Sequence, residues 1–232
     1  MRPTVCTFGA KEWPLLAATR LQDHIDGVLR AQGQCSVMLT GGYTAARLYS
    51  AWADLNAFQR LTGVRYYFSD ERCVSPNNAA SNYGMALQTL FHGSAPAGCS
   101  IFRMEADDVD REAAAGRYGE VLPDQVDVLL LGVGEDGHIA SLFPRGEALH
   151  ESVRLVVHTI GPNPPYHRLT VTPPVIANAK SVLLLATGKA KGNMLALALT
   201  STEDFKSLPV RLSCSGTWLL DKEAAEQVVT KI

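Results

Sequence analysis

The sequence predicts an α/β fold with a mostly parallel sheet that is covered by helices on both faces. Short apolar runs, typical of strands buried on both sides, alternate with longer segments that have a helical period. Several runs end in glycine and lead directly into a helical pattern, as in βαβ units. The 232 residues suffice for one sizeable α/β domain, and we expect 1–232 to form that single domain.

The elements follow from these patterns in chain order. The segment after His138 is predicted to begin a helix, and the Gly-Pro-Asn-Pro-Pro stretch at 161–165 is predicted to be a surface connection inside the domain. Strands are predicted at 35–40, 64–69, 126–132, 154–159 and 181–187. Helices are predicted at 11–31, 44–56, 82–91, 108–121, 189–199 and 222–229.

Composition excludes several classes of protein. The formal net charge is -2 and no block of Lys or Arg occurs, so a nucleic-acid partner is not expected. No apolar run approaches the length of a membrane span, and the first residues lack the pattern of a secretory signal. The five cysteines are scattered without a CxxC pair, which indicates neither a zinc site nor a disulfide framework and favours a cytoplasmic location.

The most informative segment covers 127–144, with the sequence DVLLLGVGEDGHIASLFP. A buried strand ends here in glycines and is followed by Asp136, His138 and Ser141. In open α/β sheets, ligands bind just beyond the carboxyl ends of the strands. If Asp136 contacts the imidazole, it orients His138 as a general base; if it points away, the ring is a weaker base.

Two further strands are followed by candidate binding residues. Gly41 and Gly42 allow the backbone to approach a ligand, and the helix that follows offers free N–H groups to an anion. A tight turn with Thr44 as the N-cap explains the same residues equally well. Asp70 and Arg72 follow the next strand, where they suit a sugar phosphate or, as the plainer alternative, a solvated loop with a local ion pair.

Two cations later in the chain complete the candidate site. Arg168 lies in the stretch HRLT, and Lys189 follows a buried strand and a glycine at the start of a helix. A cation at a helix N-terminus opposes the helix dipole, so a bound phosphate is expected to compensate it. The alternative is an ordinary surface lysine, for which Lys191 of the same helix is the natural control.

Taken together, these segments resemble the 6-phosphogluconolactonase family, in the order in which that family carries them. The resemblance implies a three-layer α/β/α, modified Rossmann-like fold of the glucosamine-6-phosphate isomerase type. It implies hydrolysis of 6-phospho-D-glucono-1,5-lactone in the oxidative pentose phosphate pathway, without a metal or organic cofactor. The matching segments are LTGGYTAARLY (39–49), YFSDERCV (67–74), SNYG (81–84), LLLGVGEDGHIASLFP (129–144), HRLTVTPPVIANA (167–179) and LLLATGKAK (183–191).

The resemblance also implies roles for individual residues. His138 would take a proton from the attacking water and return it to the departing ring oxygen, and Asp136 would orient it. Backbone N–H groups near Gly41 and Gly42 would bind the oxyanion, while Arg168 and Lys189 are the favoured phosphate ligands. The complete set of expected substrate-binding residues is Gly41, Gly42, Asp70, Arg72, Ser141, Arg168 and Lys189.

Two departures and two rival functions accompany this interpretation. Tyr43 and Ala45 replace a small hydroxyl residue and a proline that are common in the family turn. The related deaminases typically carry DGHIAFNEP, and Phe143 stands here at the place of their proton-moving glutamate, which favours the lactonase. An isomerase or deaminase and a catalytically silent sugar-phosphate sensor remain the alternatives. The expected partner is a small lactone, and the expected state is a monomer or weak homo-oligomer.

Overall fold

A computed structural model describes residues 2–229 of the chain. The strands are β1 (Thr4–Phe8), β2 (Cys35–Leu39), β3 (Val64–Phe68), β4 (Asp70–Arg72), β5 (Ser100–Ile101), β6 (Val128–Gly132), β7 (Val156–Ile160), β8 (His167–Val171), β9 (Val182–Ala186) and β10 (Thr217–Asp221). The helices are α1 (Trp13–Gln32), α2 (Tyr43–Ala53), α3 (Asn56–Gln59), α4 (Asn82–Thr89), α5 (Arg111–Val121), α6 (Pro173–Asn178), α7 (Lys189–Thr200) and α8 (Lys222–Val229). Short 3-10 turns cover Glu147–His150 and Pro209–Ser213.

The main sheet of the described residues has seven strands in the order β1-β10-β9-β6-β2-β3-β5, and every neighbouring pair is parallel. This confirms the predicted parallel sheet. From β2 the chain moves outward to β3 and β5, and then crosses back to β6 on the other side of β2. The strand order therefore reverses between β2 and β6, and a crevice outside their carboxyl ends is where open α/β sheets bind ligands.

Helices cover both faces of this sheet, which confirms the three-layer arrangement. On one face α1, α2, α3 and α4 pack through residues such as Trp13, Leu48 and Phe58. On the other face α5, α6, α7 and α8 pack through residues such as Leu195 and Ala224. Because both clusters share the one sheet, we propose that the chain forms a single domain. Within residues 2–229, no helix is long and apolar enough to cross a membrane.

The described residues also form a smaller antiparallel sheet, in the order β4-β8-β7. The strand predicted at 154–159 forms here as β7, outside the parallel sheet, and the connection at 161–165 joins it to β8 as expected. In this sheet Arg72 of β4 lies opposite Arg168 of β8. The sequence did not indicate β4, because its three residues are all charged and resemble a loop.

The predicted helix after His138 is wrong. Residues 135–142 instead form a compact loop in which Gly134 N donates to the carbonyl of His138 at 2.9 Å. Gly137 has φ of 85° and Ala140 has φ of 49°, so two residues of the left-handed region interrupt any right-handed helix. No helix dipole therefore acts on His138 from this segment.

At the amino-terminal ends of β2 and β6, Asp127 joins the two strands by hydrogen bonds. Its buried carboxylate accepts hydrogen bonds from Ser36 N and Ser36 Oγ, both at 2.8 Å, and from Lys180 Nζ at 2.7 Å. Gln32 at the end of α1 donates a further bond at 3.0 Å. Burial alone would raise the pKa of Asp127, but these donors outweigh burial and lower it below the ordinary value.

We expect Asp127→Asn to lower the free energy of unfolding at pH 7 by about 1–3 kcal/mol, because buried donors lose their charged acceptor. A carboxyl with a lowered native pKa stabilises the fold above its ordinary value of 3.8 and loses this contribution as the pH falls through the native pKa. Urea unfolding at pH 7 and pH 3 measures both effects.

The exposed carboxylate of Asp124 supplies the control, since Asp124→Asn should change stability by less than about 0.5 kcal/mol. The same loss at both pH values for Asp127→Asn would contradict the electrostatic explanation.

Candidate active site

Two adjoining recesses lie outside the carboxyl ends of β2 and β6. Both are lined by Asp70, Arg72, His138 and Ala140. The small recess, with a volume of about 130 Å³, is completed by Thr40, Gly41, Gly42, Tyr43, Thr44, Gly132, Val133, Gly134 and Lys191. The large recess, with a volume of about 650 Å³, is completed by Glu135, Asp136, Ser141, Phe143, Pro162, Asn163, Pro164 and Arg168.

His138 is held where the two recesses meet. Its Nδ1 lies 2.5 Å from Oδ1 of Asp136, which also accepts the His138 backbone N–H at 3.1 Å. A carboxylate can only accept, so the neutral ring carries its proton on Nδ1 and its lone pair on Nε2. A Cβ on Gly134 would lie 2.2 Å from the ring, so this glycine is needed for the imidazole to rest against the backbone.

Asp136 is suited to orienting the ring while remaining ionised. Partial burial would raise its pKa, but the hydrogen bonds and charge of His138 outweigh burial and hold the pKa of Asp136 below its ordinary value. Of the two orientations of Asp136 that the sequence left open, the structure has the one in which the carboxylate contacts the imidazole. The pair can therefore act as a general base with an anionic orienting group.

The small recess contains the N-terminus of α2. Gly42, with φ of 95°, is the N-cap, and within the described residues no side chain caps this helix. The alternative in which Thr44 is the N-cap is therefore wrong. Instead, Thr44 Oγ1 accepts a hydrogen bond at 3.2 Å from Nζ of Lys191. Free helix N–H groups, a hydroxyl and an ammonium group together form an anion-binding position.

Lys191, and not Lys189, is the lysine that reaches this position. Burial lowers the pKa of Lys191, and the charge of Glu135 partly opposes that shift. The exposed Lys189 lines neither recess. The anion expected at the start of its helix is supplied by Asp221, whose carboxylate accepts the N–H of Gly188 at 3.0 and 3.1 Å.

The helical period contained the signal that separates the two lysines. Leu195 and Ala198 are buried on one face of α7, and position 191 lies four residues before Leu195 on that same face. Lys189 lies on the face of the exposed Asn193. The expectation for Lys189 rested on its place at the helix start and took no account of this period.

A second cationic position lies in the large recess. Arg72 donates to the carbonyl of Ala80 at 2.7 Å, and Arg168 donates to the carbonyl of Asn163 at 3.2 Å. Neither guanidinium forms an ion pair with any residue of the described range, and the Nε atoms of both are buried without a partner. Burial and then the neighbouring Arg72 lower the pKa of Arg168. Two neighbouring guanidinium groups without a carboxylate partner among the described residues, one buried (Arg168) and one half-buried (Arg72), suit an anion.

The carboxylates beside Arg72 have other functions than pairing with it. Asp70 accepts a hydrogen bond from Ser141 Oγ at 2.7 Å, so the hydroxyl expected to bind substrate holds a site carboxylate. Glu71 accepts the backbone N–H groups of Asn82 and Tyr83 at 2.7 and 2.8 Å at the start of α4. The alternative in which Arg72 forms a local ion pair with these carboxylates is therefore not found in the described part of the structure.

Asn82 is a site residue for which the sequence indicated no chemical role. Its Nδ2 donates to the carbonyl of Asp70 at 2.9 Å. A Cβ on Gly41 would lie 2.0–2.6 Å from the Asn82 amide, so this glycine allows the loop between β2 and α2 to pack directly on Asn82. Asn82 thereby contacts both the loop at Gly41 and Asp70, which lie 29 positions apart in the chain.

The residues 2–229 contain no group of three or more His, Cys, Asp or Glu side chains arranged to hold a metal ion. The functional groups of the site are therefore an oriented imidazole, a buried carboxylate and two separate cationic positions. These features define an α/β protein with a site for an anionic small molecule at the switch point of a parallel sheet.

Comparison with known proteins agrees with this class. The family model described as glucosamine-6-phosphate isomerases/6-phosphogluconolactonase matches residues 11–219. The chain therefore belongs to this family. A 6-phosphogluconolactonase of Streptomyces coelicolor is 34% identical over 91% of this chain and 89% of its own length. One from Treponema pallidum is 30% identical over 89% of this chain and 87% of its own length.

Solved structures resemble the fold over nearly its whole length. The 6-phosphogluconolactonase of Trypanosoma brucei has a TM-score of 0.82 and 27% identity, and the match covers 98% of this chain and 99% of that one. A monomeric glucosamine-6-phosphate deaminase has a TM-score of 0.79 at 22% identity, covering 97% of this chain and 99% of that one, and shows the shared fold alone.

We expect Lys191→Met to weaken the binding of inorganic phosphate by about tenfold or more, because it removes a charge-assisted hydrogen bond and keeps the apolar stem. Lys189→Met, on the exposed face of the same helix, should change the dissociation constant less than about twofold. Isothermal titration calorimetry with inorganic phosphate measures both. Equal effects of the two substitutions would contradict the assignment of Lys191 to the anion position.

Proposed function

We propose that this protein hydrolyses 6-phospho-D-glucono-1,5-lactone to 6-phospho-D-gluconate, in the oxidative pentose phosphate pathway. The names of its relatives support this reaction class. The observation that carries the proposal is the oriented Asp136–His138 pair between two cationic positions. A base and two anion sites match an ester whose phosphate and carbonyl lie at opposite ends of one sugar.

In this mechanism Nε2 of His138 takes a proton from water as the water oxygen attacks the lactone carbonyl. The carbonyl becomes a tetrahedral oxyanion, and its collapse breaks the bond between the carbonyl carbon and the ring oxygen. The imidazolium returns its proton to that ring oxygen, which leaves an open-chain acid and the original base. Asp136 stays ionised throughout and stabilises the imidazolium, as its lowered pKa favours.

We place the phosphate in the small recess. The uncapped N-terminus of α2 and the ammonium of Lys191 offer backbone donors and a charge. The volume of about 130 Å³ suits a phosphate better than a sugar ring. The sugar ring then occupies the large recess of about 650 Å³, where Asp70 and the loop at Pro162 line the wall.

The lactone carbonyl would then face Arg72 and Arg168, whose side chains line the large recess and can bind the oxyanion through their guanidinium groups. This arrangement differs from the sequence-based expectation, in which Gly41 and Gly42 bind the oxyanion and Arg168 binds the phosphate. Size favours the new arrangement, because the recess that Arg72 and Arg168 line is the one with room for the sugar ring.

Phe143 favours the lactonase over the isomerase or deaminase alternative, because a phenyl ring in the large recess cannot move a proton. The intact Asp136–His138 pair favours an enzyme over a silent sensor. A cytoplasmic location, the absence of a cofactor, and a monomeric or weakly associated state remain predictions from the sequence. The proposed partner is the lactone alone, with no nucleic acid and no membrane.

We expect His138→Ala to lower kcat for the phosphorylated lactone by about 10²–10⁴-fold, the usual contribution of a general base. Acid release from freshly prepared lactone, corrected for its spontaneous hydrolysis, measures the rate. His150→Ala, which removes an exposed histidine outside both recesses, should leave kcat unchanged. An unaltered kcat in His138→Ala would remove this residue from the mechanism.

A second experiment separates the two cationic positions. We expect Lys191→Met to lower kcat/KM about tenfold or more for the phosphorylated lactone and to leave unphosphorylated glucono-1,5-lactone unaffected. Arg168→Met should lower kcat for both lactones by about 10²-fold, because both develop the same oxyanion. Steady-state kinetics on the two lactones provides the comparison. If Arg168→Met impairs only the phosphorylated lactone, the phosphate lies at the arginines.

A further inference from the structure

The imidazole of His138 needs a second side-chain contact besides Asp136 to hold its orientation. The hydrogen bond at Nδ1 and the backbone at Gly134 restrain one part of the ring, but they leave its tilt open. The side chain is 35% exposed, so close packing does not surround it on all sides. A productive base must hold its reacting nitrogen within a narrow range of positions.

The phenyl ring of Phe143 provides that second contact. Its centroid lies 5.0 Å from the centroid of the His138 ring, and the two planes are inclined by 50°. This distance lies within the range at which aromatic rings attract each other. Phe143 follows His138 by five residues, after a turn in which Leu142 N donates to the carbonyl of Ile139 at 2.9 Å.

Phe143 is held in turn by the connection between β7 and β8. A Cβ on Gly161 would lie 3.0 Å from Cζ of Phe143 and 3.1 Å from its Cε2. The same Cβ would lie 3.5 Å from Nε of Arg168. A Cβ at position 161 would therefore require the phenyl ring to shift by a few tenths of an ångström, so the phenyl ring is in contact with both the imidazole and the connection between β7 and β8.

We propose that Phe143 is a positioning residue that fixes the tilt of the His138 ring. Gly161, which has no Cβ, leaves the room that the phenyl ring needs for this position. This inference rests on the proposed function of His138 as the base. It assigns a task to a phenyl ring that cannot itself move a proton. Phe143 also connects His138 with the segment that leads into β8, the strand of Arg168. It would therefore help to keep the distance between the His138 ring and the Arg168 side chain constant.

The first test is Phe143→Ala, with Phe143→Leu as the conservative variant. We expect Phe143→Ala to lower kcat for the phosphorylated lactone by about 10–10²-fold, because a misplacement of about 1 Å costs that much. KM should change less than about threefold, since the phosphate position at Lys191 lies in the other recess. Phe143→Leu, which keeps an apolar contact, should recover most of the loss.

The second test changes the room that is available to the Phe143 ring beside Gly161. Gly161→Ala should lower kcat with little change in KM, because the added Cβ pushes against the phenyl ring. Combined with Phe143→Leu, the same Gly161→Ala should cost less than about threefold, because the shorter side chain leaves room for the methyl group. Additive losses in this double-mutant cycle would overturn the proposal.

The third test does not depend on turnover. The ¹⁵N resonances of the His138 ring in the unliganded protein report its tautomer and surroundings. They should shift in Phe143→Ala, and they should remain in place in Phe102→Ala, which removes a ring stacked on Tyr67 at 4.9 Å outside the site. Thermal unfolding verifies that each variant is folded.

The results separate this proposal from the proposed function. If the wild type does not hydrolyse the lactone, or if His138→Ala keeps full kcat, the proposed function fails and this inference fails with it. If His138→Ala is inactive while Phe143→Ala keeps full kcat and unshifted resonances, only the positioning role of Phe143 is overturned.

Discussion

The parallel pairing of β2 with β6 is the constraint on which the rest of the site depends. The two strands pair through Val37 with Val128 and Met38 with Leu129, and all four residues are fully buried. Since the strands run in the same direction, their carboxyl ends open side by side. Gly132 N donates to Thr40 Oγ1 at 3.3 Å just beyond the pairing. The glycine loop and the histidine loop therefore begin at neighbouring points, although about 90 residues separate them.

Charge distribution explains why this end of the sheet suits an anion better than comparable places in the fold do. The start of α4 is occupied by the carboxylate of Glu71, and the start of α7 is adjoined by that of Asp221. The start of α2 has no such internal carboxylate within the described residues. The positive potential of the α2 N-terminus and the charge of Lys191 are therefore available to an anionic ligand.

Much of the fold was predictable because the central strands have a strong and simple pattern. The run VLLLG of β6 and the run VLLLA of β9 are buried on both faces, and such runs occur in parallel sheets between two helical layers. β1 and β10 were missed although they are as long as the central strands: β1 lies at the sheet edge and is only partly buried, and β10 leads without a break into α8. β4 was missed because its only residues are charged, and its pairing with β8 is a long-range contact.

The sequence by itself determined the layered parallel fold and the glycine loop, and it placed Asp136 within reach of His138, since each depends on patterns of residues that lie close together in the chain. Only the tertiary structure decided that Lys191 faces the recess, that the Arg72 and Arg168 guanidinium groups adjoin, and that Phe143 meets Gly161. These contacts depend on the rotation of a helix and on strand register across many residues. Local patterns do not encode such distances, because the packing of the whole core sets them.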